Sequence, residues 1–287
     1  MSSMRFAVLF FVLPLVGFFS CNPEEQEPAY VTFEGFNLST GINQGSNSSA
    51  IENVWVFADN VYLGTYSLPA RIPMLLSGPT TLRFEAGVKE NGISSTPQIY
   101  PFYQAATVEA DLIPGEITAV GRQNISYRSN AVFGFIESFE PDEQRVFNTV
   151  IIGNGPIQTT ATDVFEGDGS GLIRLTDSNN LVEILADPIF EALFDQGVEP
   201  RIWLEMDFKS EATGLVGLVG TNLENQLFRS FNPGFLPREE WTKIYFNLSE
   251  IYFSSRANLT QAGITAFLPE EMNQADILLD NVKLVYR

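Results

Sequence analysis

The sequence predicts an all-β protein made of two β-sandwich domains. Its 287 residues suggest two domains, and 45% hydrophobic against 18% charged residues let each domain bury a core. Short apolar runs recur along both halves of the chain, separated by Gly, Pro and Asn, as strands separated by turns would be. A single segment has the pattern of a helix.

Composition and charge exclude several classes of function. The chain has 35 acidic and 16 basic residues, a net charge of −19, whereas binding a nucleic-acid backbone requires a basic surface. It contains no His and one Cys. These counts exclude Ser-His-Asp and Cys-His catalysis, His-ligated metals, cysteine zinc sites and an intramolecular disulfide. We therefore expect a protein that is not an enzyme.

The amino-terminal segment has the pattern of a signal peptide. Arg5 is followed by an apolar run of 14 residues, Phe6 to Phe19. That run is shorter than the roughly 20 apolar residues of a membrane-spanning helix, and it fits the hydrophobic region of a secretory signal.

The only cysteine follows this run. Phe18-Phe19-Ser20-Cys21 resembles the lipobox of bacterial lipoproteins, although its first position is Phe instead of Leu. The resemblance implies that residues 1–20 are removed and that Cys21 carries acyl chains, palmitate among them, which anchor the protein to a membrane. The alternative is an ordinary secretory signal with an unrelated Cys.

Residues 21–29 contain three Glu and two Pro, a composition that predicts a solvated tether. The stretch resembles the acidic segment that follows the acylated cysteine in Bacteroidota lipoproteins bound for the outer face. That resemblance implies a lipid-anchored outer-membrane protein exposed at the cell surface. A plain tether with a periplasmic orientation is the alternative.

A change in charge places a domain boundary near residue 128. Residues 30–128 hold eight acidic and five basic residues, whereas residues 129–287 hold 24 and ten. The polar step Arg128-Ser129-Asn130 lies between the two blocks.

The first block has about seven short apolar runs at roughly ten-residue spacing, which predicts an immunoglobulin-like β-sandwich. Val54 to Gly64 alternates around Asp59-Asn60 as a hairpin does. The segment resembles the hairpin of PEGA-like surface domains, with Asn60 where Gly is usual. The resemblance implies a spacer or interaction role.

The second block, residues 129–287, predicts a larger β-sandwich. A helix is expected at Asp187–Gln196, with Pro188 at its first position and Gly197 as its stop. The expected strands are Asn148–Ile152, Gly171–Leu175, Arg201–Phe208, Leu215–Val219, Trp241–Leu248, Gly263–Phe267 and Ile277–Tyr286.

An ordered series of motifs in this block resembles the jelly-roll carbohydrate-binding modules. The series is Phe139-Glu140, then Gly167-Asp168-Gly169-Ser170-Gly171, then Asp280-Asn281-Val282. The resemblance implies a jelly roll, a glycan ligand and one structural calcium held by Glu140 and Asp280, since that cation takes about six to eight oxygen ligands. The alternative is two ordinary surface carboxylates.

Glu205 and Asp207 place two carboxylates about 7 Å apart on one face of a strand. The segment resembles the acidic strand of laminarinase-like glycosidases, but Lys209 stands where a third carboxylate belongs. A retaining pair also lies closer, at about 5–5.5 Å. The alternation predicts a strand with a polar outer face, which Trp203 shares.

Candidate glycan contacts come from the aromatic residues. Of these, 24 are Phe, which predicts that most fill a core, whereas Trp and Tyr suit sugar rings. Trp241 is expected in the core. The ligand-binding candidates are Trp203, Tyr252, and Phe231 and Phe235 in a predicted loop.

Three functions follow from these patterns. The first is a surface lipoprotein whose second domain is a non-catalytic binding module for a glycan or a partner protein, such as an outer-membrane protein. The second is a structural or accessory lipoprotein, either an adhesin-like spacer or a subunit of an outer-membrane assembly. The third is a glycosidase that uses carboxylates alone. The absent nucleophiles favour the first.

Overall fold

The computed structural model describes residues 26–93, 95–191 and 200–287. The predicted signal peptide and Cys21 lie outside these residues. The elements are β1 (Ala29–Leu38), β2 (Asn53–Ala58), β3 (Val61–Ser67), β4 (Ala70–Met74), β5 (Gly78–Lys89), β6 (Pro97–Ile99), β7 (Ala106–Leu112), β8 (Ile117–Ile125), β9 (Val132–Glu137), β10 (Phe147–Ile152), β11 (Gln158–Thr160), β12 (Ser170–Thr176), β13 (Leu181–Ala186), β14 (Ile202–Ser210), β15 (Gly214–Asn222), β16 (Leu227–Phe235), β17 (Arg238–Asn247), α1 (Ser249–Ser254), β18 (Ala257–Phe267) and β19 (Gln274–Tyr286). This order of elements confirms the all-β prediction.

Strands β1 to β8 form the first sandwich. One sheet has the order β4-β1-β8, and the other has the order β3-β2-β5-β6 with β7 also paired to β5. Strands β1 and β8 run parallel. Alternate residues such as Val54 and Val56 are buried between the sheets, as their period of two requires.

The predicted hairpin in this sandwich is present. Strands β2 and β3 pair antiparallel around Asp59 and Asn60, whose φ angles are 47° and 67°. A two-residue hairpin turn with both φ angles positive matches the twist of the strands, and Asn and Asp tolerate that conformation. Asn60 therefore takes the place of the usual Gly without disrupting the turn.

Strands β9 to β19 form the larger second sandwich. One sheet has the order β10-β13-β18-β15-β16. The other has the order β11-β12-β19-β14-β17, and β9 also pairs with β19. The core between them is lined by alternate residues of the strands, for example Leu204, Met206 and Phe208 on β14.

Two predictions of local structure in this sandwich are wrong. The described part of the segment expected to form a helix at Asp187–Gln196 is not helical, because Phe190 pairs with Thr260 as a β-bridge. The rest of that segment lies outside the described residues. The loop expected around Phe231 and Phe235 is the end of strand β16, which pairs with β15.

A bulge in β19 decides which side chains share a face with β14. Lys283 lies opposite Glu205, and Asp280 lies opposite Asp207, so three steps along β19 match two along β14. The extra residue falls at Asn281, whose φ is 48°. Without it, Asp280 and Lys283 would point to opposite faces of the sheet; with it, both lie on the outer face.

The first sandwich packs against this outer face. Trp203, Tyr245 and Val285 from the second sandwich belong to the apolar core of the first. The segment after β5 also pairs with β17, because the backbone N–H of Asn91 donates to the carbonyl of Tyr245 at 2.8 Å. The two sandwiches are therefore joined side by side through a buried contact.

Candidate functional site

The outer face of the six-stranded sheet of the second sandwich, the sheet that contains β14 and β19, has a covered end and an open end. On β14, Asp207 is 1% exposed beneath the first sandwich, whereas the side chain of Lys209, two residues further on, is 34% exposed. The open end forms a groove of about 680 Å³. The groove is lined by Thr160, Thr162, Asp163, Leu172, Arg174, Lys209, Ser210, Glu211, Pro237, Arg238, Glu239, Asp276 and Leu278.

Two ion pairs fix charged groups in the groove. Arg174 donates two parallel hydrogen bonds to Asp276, at 2.8 and 2.7 Å. Lys209 donates to Asp163 at 2.5 Å. A bidentate Arg–carboxylate pair holds its planar donors and acceptors in one orientation, so the groove presents polar groups whose positions are set before a ligand arrives.

Two aromatic side chains lie beside the groove. The indole N–H of Trp241 donates to Asp163 at 2.8 Å, and its ring lies 5.6 Å from the ring of Phe165. Phe165 is 40% exposed, and Trp241 is partly exposed and not in the core as expected. Hydrogen bonds from Lys209 and then Trp241 lower the pKa of Asp163, so this carboxylate stays ionised and anchors both neighbours.

The covered end contains a cluster of buried charges, which we call the junction cluster: Glu205, Asp207, Lys243, Asp280 and Lys283. Lys243, Asp207 and Asp280 form one row across strands β17, β14 and β19. Tyr245, Glu205 and Lys283 form the next row. In the second row Glu205 faces Lys283, whereas in the first row Asp207 faces Lys243 on one side and the carboxylate of Asp280 on the other.

Side chains of the first sandwich bind this cluster. Tyr100 and Tyr127 donate to the same oxygen of Glu205, at 2.5 and 2.7 Å. Ser48 donates to Asp207 at 2.7 Å. Burial, and then the Glu205 carboxylate, raise the pKa of both tyrosines well above the ordinary value, which keeps their hydroxyl groups protonated as donors.

Burial shifts two groups of the cluster in opposite directions. It raises the pKa of Asp280 to about 7, against hydrogen bonds from the backbone N–H groups of Glu166 and Asn281 that lower it. It lowers the pKa of Lys283 to about 8. In both cases the uncharged form is favoured because the low dielectric of the junction disfavours charge.

The two carboxylates of the predicted calcium site, Glu140 and Asp280, each accept hydrogen bonds from the backbone. The carboxylate of Asp280 accepts the backbone N–H of Glu166 at 3.1 Å, and that of Glu140 accepts the N–H of Asp168 at 3.1 and 3.2 Å. The guanidinium of Arg145 donates to the carbonyl oxygen of Glu140.

Among the residues that the structure describes, no three acidic, Cys or His side chains are grouped to hold a metal. The calcium site stays a prediction.

Three of the four predicted ligand-binding aromatics are buried. Trp203 is 3% exposed, and its ring packs edge-on against Tyr100. Phe235 is 2% exposed, and its ring packs against Phe208. Tyr252 is fully buried. Burial leaves no ring face of these three for a ligand, so we correct their assignment. Phe231 is partly exposed on the five-stranded sheet, where Arg229 stacks over its ring, and it is not part of the groove.

Comparison with known proteins finds distant structural likeness only. No protein-family model and no curated protein matches the sequence. A family 22 xylan-binding domain from Paenibacillus barcinonensis has 14% identity and a TM-score of 0.38, over 54% of this chain and 95% of that one. A family 30 carbohydrate-binding module of a Clostridium thermocellum cellulosomal cellulase has 12% identity and a TM-score of 0.41, over 54% and 96%.

A third structure covers more of the chain. It comes from work on promiscuous specificity among carbohydrate-binding modules of the β-sandwich superfamily, with 13% identity and a TM-score of 0.40 over 91% of this chain and 99% of that one. These likenesses are too distant to assign a ligand, so the function is argued from the groove itself.

Proposed function

We propose that the second sandwich binds a glycan in the groove and catalyses no reaction. The observation that carries this proposal is the pairing of fixed charges, Arg174–Asp276 and Lys209–Asp163, next to the partly exposed ring of Trp241 and the exposed ring of Phe165. Sugar hydroxyl groups both donate and accept hydrogen bonds, and the C–H faces of a sugar ring pack on aromatic rings. The charged side chains line the groove, and the ring of Trp241 reaches its border through the hydrogen bond to Asp163.

The absence of catalysis is supported by the environment of the two carboxylates on β14. Glu205 and Asp207 are 0% and 1% exposed, and tyrosine and serine hydroxyl groups of the first sandwich bind them. A polymeric substrate would have to displace the first sandwich to lie between them. Their role in this proposal is to join the two sandwiches.

The protein carrying this module is proposed to be a lipoprotein of the outer membrane, exposed at the cell surface. Support comes from the apolar run of 14 residues, the lipobox-like Phe18-Phe19-Ser20-Cys21 and the acidic stretch that follows. Among the residues that the structure describes, no helix is long and apolar enough to span a membrane. In this proposal the acyl chains on Cys21 are the anchor.

Replacing Trp241 by Ala should lower glycan affinity about tenfold or more, because aromatic contacts carry much of the energy of such sites. The measurement is calorimetric titration with the glycans that the wild-type protein retains on a glycan array. Trp55→Ala is the control, since Trp55 is a partly exposed tryptophan of the first sandwich, away from the groove. Equal affinity of the folded Trp241 variant and wild type, or an array without any retained glycan, would disprove the proposal.

Replacing Cys21 by Ala should release the protein from membranes and abolish palmitate labelling, because the chain has no other cysteine. Fractionation of cells grown with labelled palmitate measures both effects. Ser20→Ala keeps a small residue before the cysteine and should leave both unchanged. Membrane association of the alanine variant with retained label would refute the anchor.

A further inference from the structure

A second cavity lies between the two sandwiches beside β17, and we call it the cleft. Its volume is about 500 Å³. The first sandwich contributes the segment from Lys89 to Ile93, and the second contributes residues 232–236 together with part of β17. Neither sandwich alone forms its walls.

The cleft adjoins the groove. Arg238, at the start of β17, lines both cavities. Arg238 is exposed, and no ion pair holds it among the described residues. Arg238 is therefore the point at which a ligand bound in the groove and a ligand bound in the cleft would meet.

The ammonium group of Lys243 lies at the wall of the cleft. Lys243 lines it, its side chain is 4% exposed, and its ammonium lies 3.5 Å from Asp207 and 3.7 Å from Glu205. A hydroxyl group of a ligand in the cleft can accept a hydrogen bond from this ammonium.

Apolar side chains complete the cleft. Ile93 and Leu236 line it and are 51% and 68% exposed. Aliphatic surface beside hydroxyl-binding groups matches a sugar unit, which has C–H faces and hydroxyl edges. A neutral sugar chain, which has both polar and apolar surface, therefore fits the cleft better than a purely ionic ligand.

We propose that the first sandwich supplies a second subsite for the same glycan, so that an extended neutral oligosaccharide spans both sandwiches. This inference rests on the proposed glycan-binding function of the groove. It assigns the segment from Lys89 to Ile93 a binding role in place of that of a spacer. It also predicts that affinity increases with the length of the oligosaccharide beyond what the groove alone contacts.

The experiment is calorimetric titration of the full chain with neutral cello-, manno- and xylo-oligosaccharides, from the disaccharide to the octasaccharide. The affinity of the wild-type protein should increase about tenfold or more when the oligosaccharide becomes long enough to pass Arg238. A tenfold gain in affinity equals about 1.4 kcal/mol of binding free energy. Ile93→Trp narrows the cleft and should remove that gain while leaving short oligosaccharides unaffected. The control is Ile113→Trp, since Ile113 is a loop isoleucine of the first sandwich with a similar exposure of 47%.

The outcomes separate this inference from the function on which it rests. A loss of affinity in Ile93→Trp that is confined to long oligosaccharides supports the second subsite. Affinity that does not rise with length, or a rise that the variant leaves intact, overturns the subsite but leaves glycan binding in the groove standing. Binding of no oligosaccharide by any variant overturns both.

Discussion

Replacing Lys243 by Met should lower the free energy of unfolding by about 3–5 kcal/mol, because it leaves buried carboxylates without their nearest cation. Lys243 lies 3.5 Å from Asp207 and 3.7 Å from Glu205, and all three side chains are at most 4% exposed. Urea unfolding followed by tryptophan fluorescence measures the change. A loss of this size is a large fraction of the ~5–15 kcal/mol by which a domain is stable.

The matched control for this variant lies on the open end of the same sheet. Lys209→Met removes a lysine that pairs with Asp163 in contact with solvent, and exposed pairs contribute about 0–1 kcal/mol. Adding Glu205→Gln and Asp207→Asn to Lys243→Met should recover part of the loss, since the two carboxylates nearest to Lys243 are then replaced by neutral amides. Equal small losses for both lysine variants would contradict the assigned role of the junction cluster.

The free energy of unfolding should decrease as the pH rises from about 4 to about 7, because of Asp280. Its pKa in the folded protein is about 7, above the ordinary value of 3.8, so the folded state binds the proton more tightly than the unfolded chain. The stabilisation is complete below pH 4 and is lost as the pH rises through 7. A shift of this size corresponds to about 4 kcal/mol, since each pKa unit is about 1.4 kcal/mol.

Lys283 gives the opposite slope at higher pH. Its folded-state pKa is about 8, below the ordinary value of 10.5, so the unfolded chain binds the proton more tightly than the folded protein. The free energy of unfolding is therefore lowest below about pH 8, and it rises as the pH increases from about 8 to 10.5. These two groups together predict a minimum of stability between pH 7 and 8.

Urea unfolding at a series of pH values tests this profile. Asp280→Asn should flatten the slope between pH 4 and 7. Asp142→Asn, which removes an exposed carboxylate in a turn, should leave the slope unchanged. A wild-type slope that survives in Asp280→Asn would show that Asp280 is not its source.

The strands were predictable because their signal is local. Alternation along residues 201–208 gives the correct faces: Trp203, Glu205 and Asp207 lie together on one side and Leu204, Met206 and Phe208 on the other. Whether a polar face is exposed depends on what packs against it. The partner here is the first sandwich, whose Tyr100 and Tyr127 lie far away in the sequence, so the alternation predicts a polar outer face but not its burial.

The groove was not predictable for a related reason. Asp163 binds Lys209 and Trp241, which follow it by 46 and 78 residues, and no motif connects the three. The bulge at Asn281 was not predictable either, since strict alternation separates Asp280 from Lys283. An Asn after an Asp inside the strand was the available signal, because Asn accepts a positive φ.

The position of β19 has a consequence for how the protein is made. This strand pairs with β14 on one side and with β12 and β9 on the other, so it lies inside its sheet, yet it is the last of the strands to be synthesised. The second sandwich cannot close before Gln274–Tyr286 has left the ribosome, and closure must then join segments up to about 150 residues apart, a feature of slow-folding β proteins. The inner sheet positions beside β14 and β12 therefore stay empty until this strand is available, and the core of the second sandwich stays open until then.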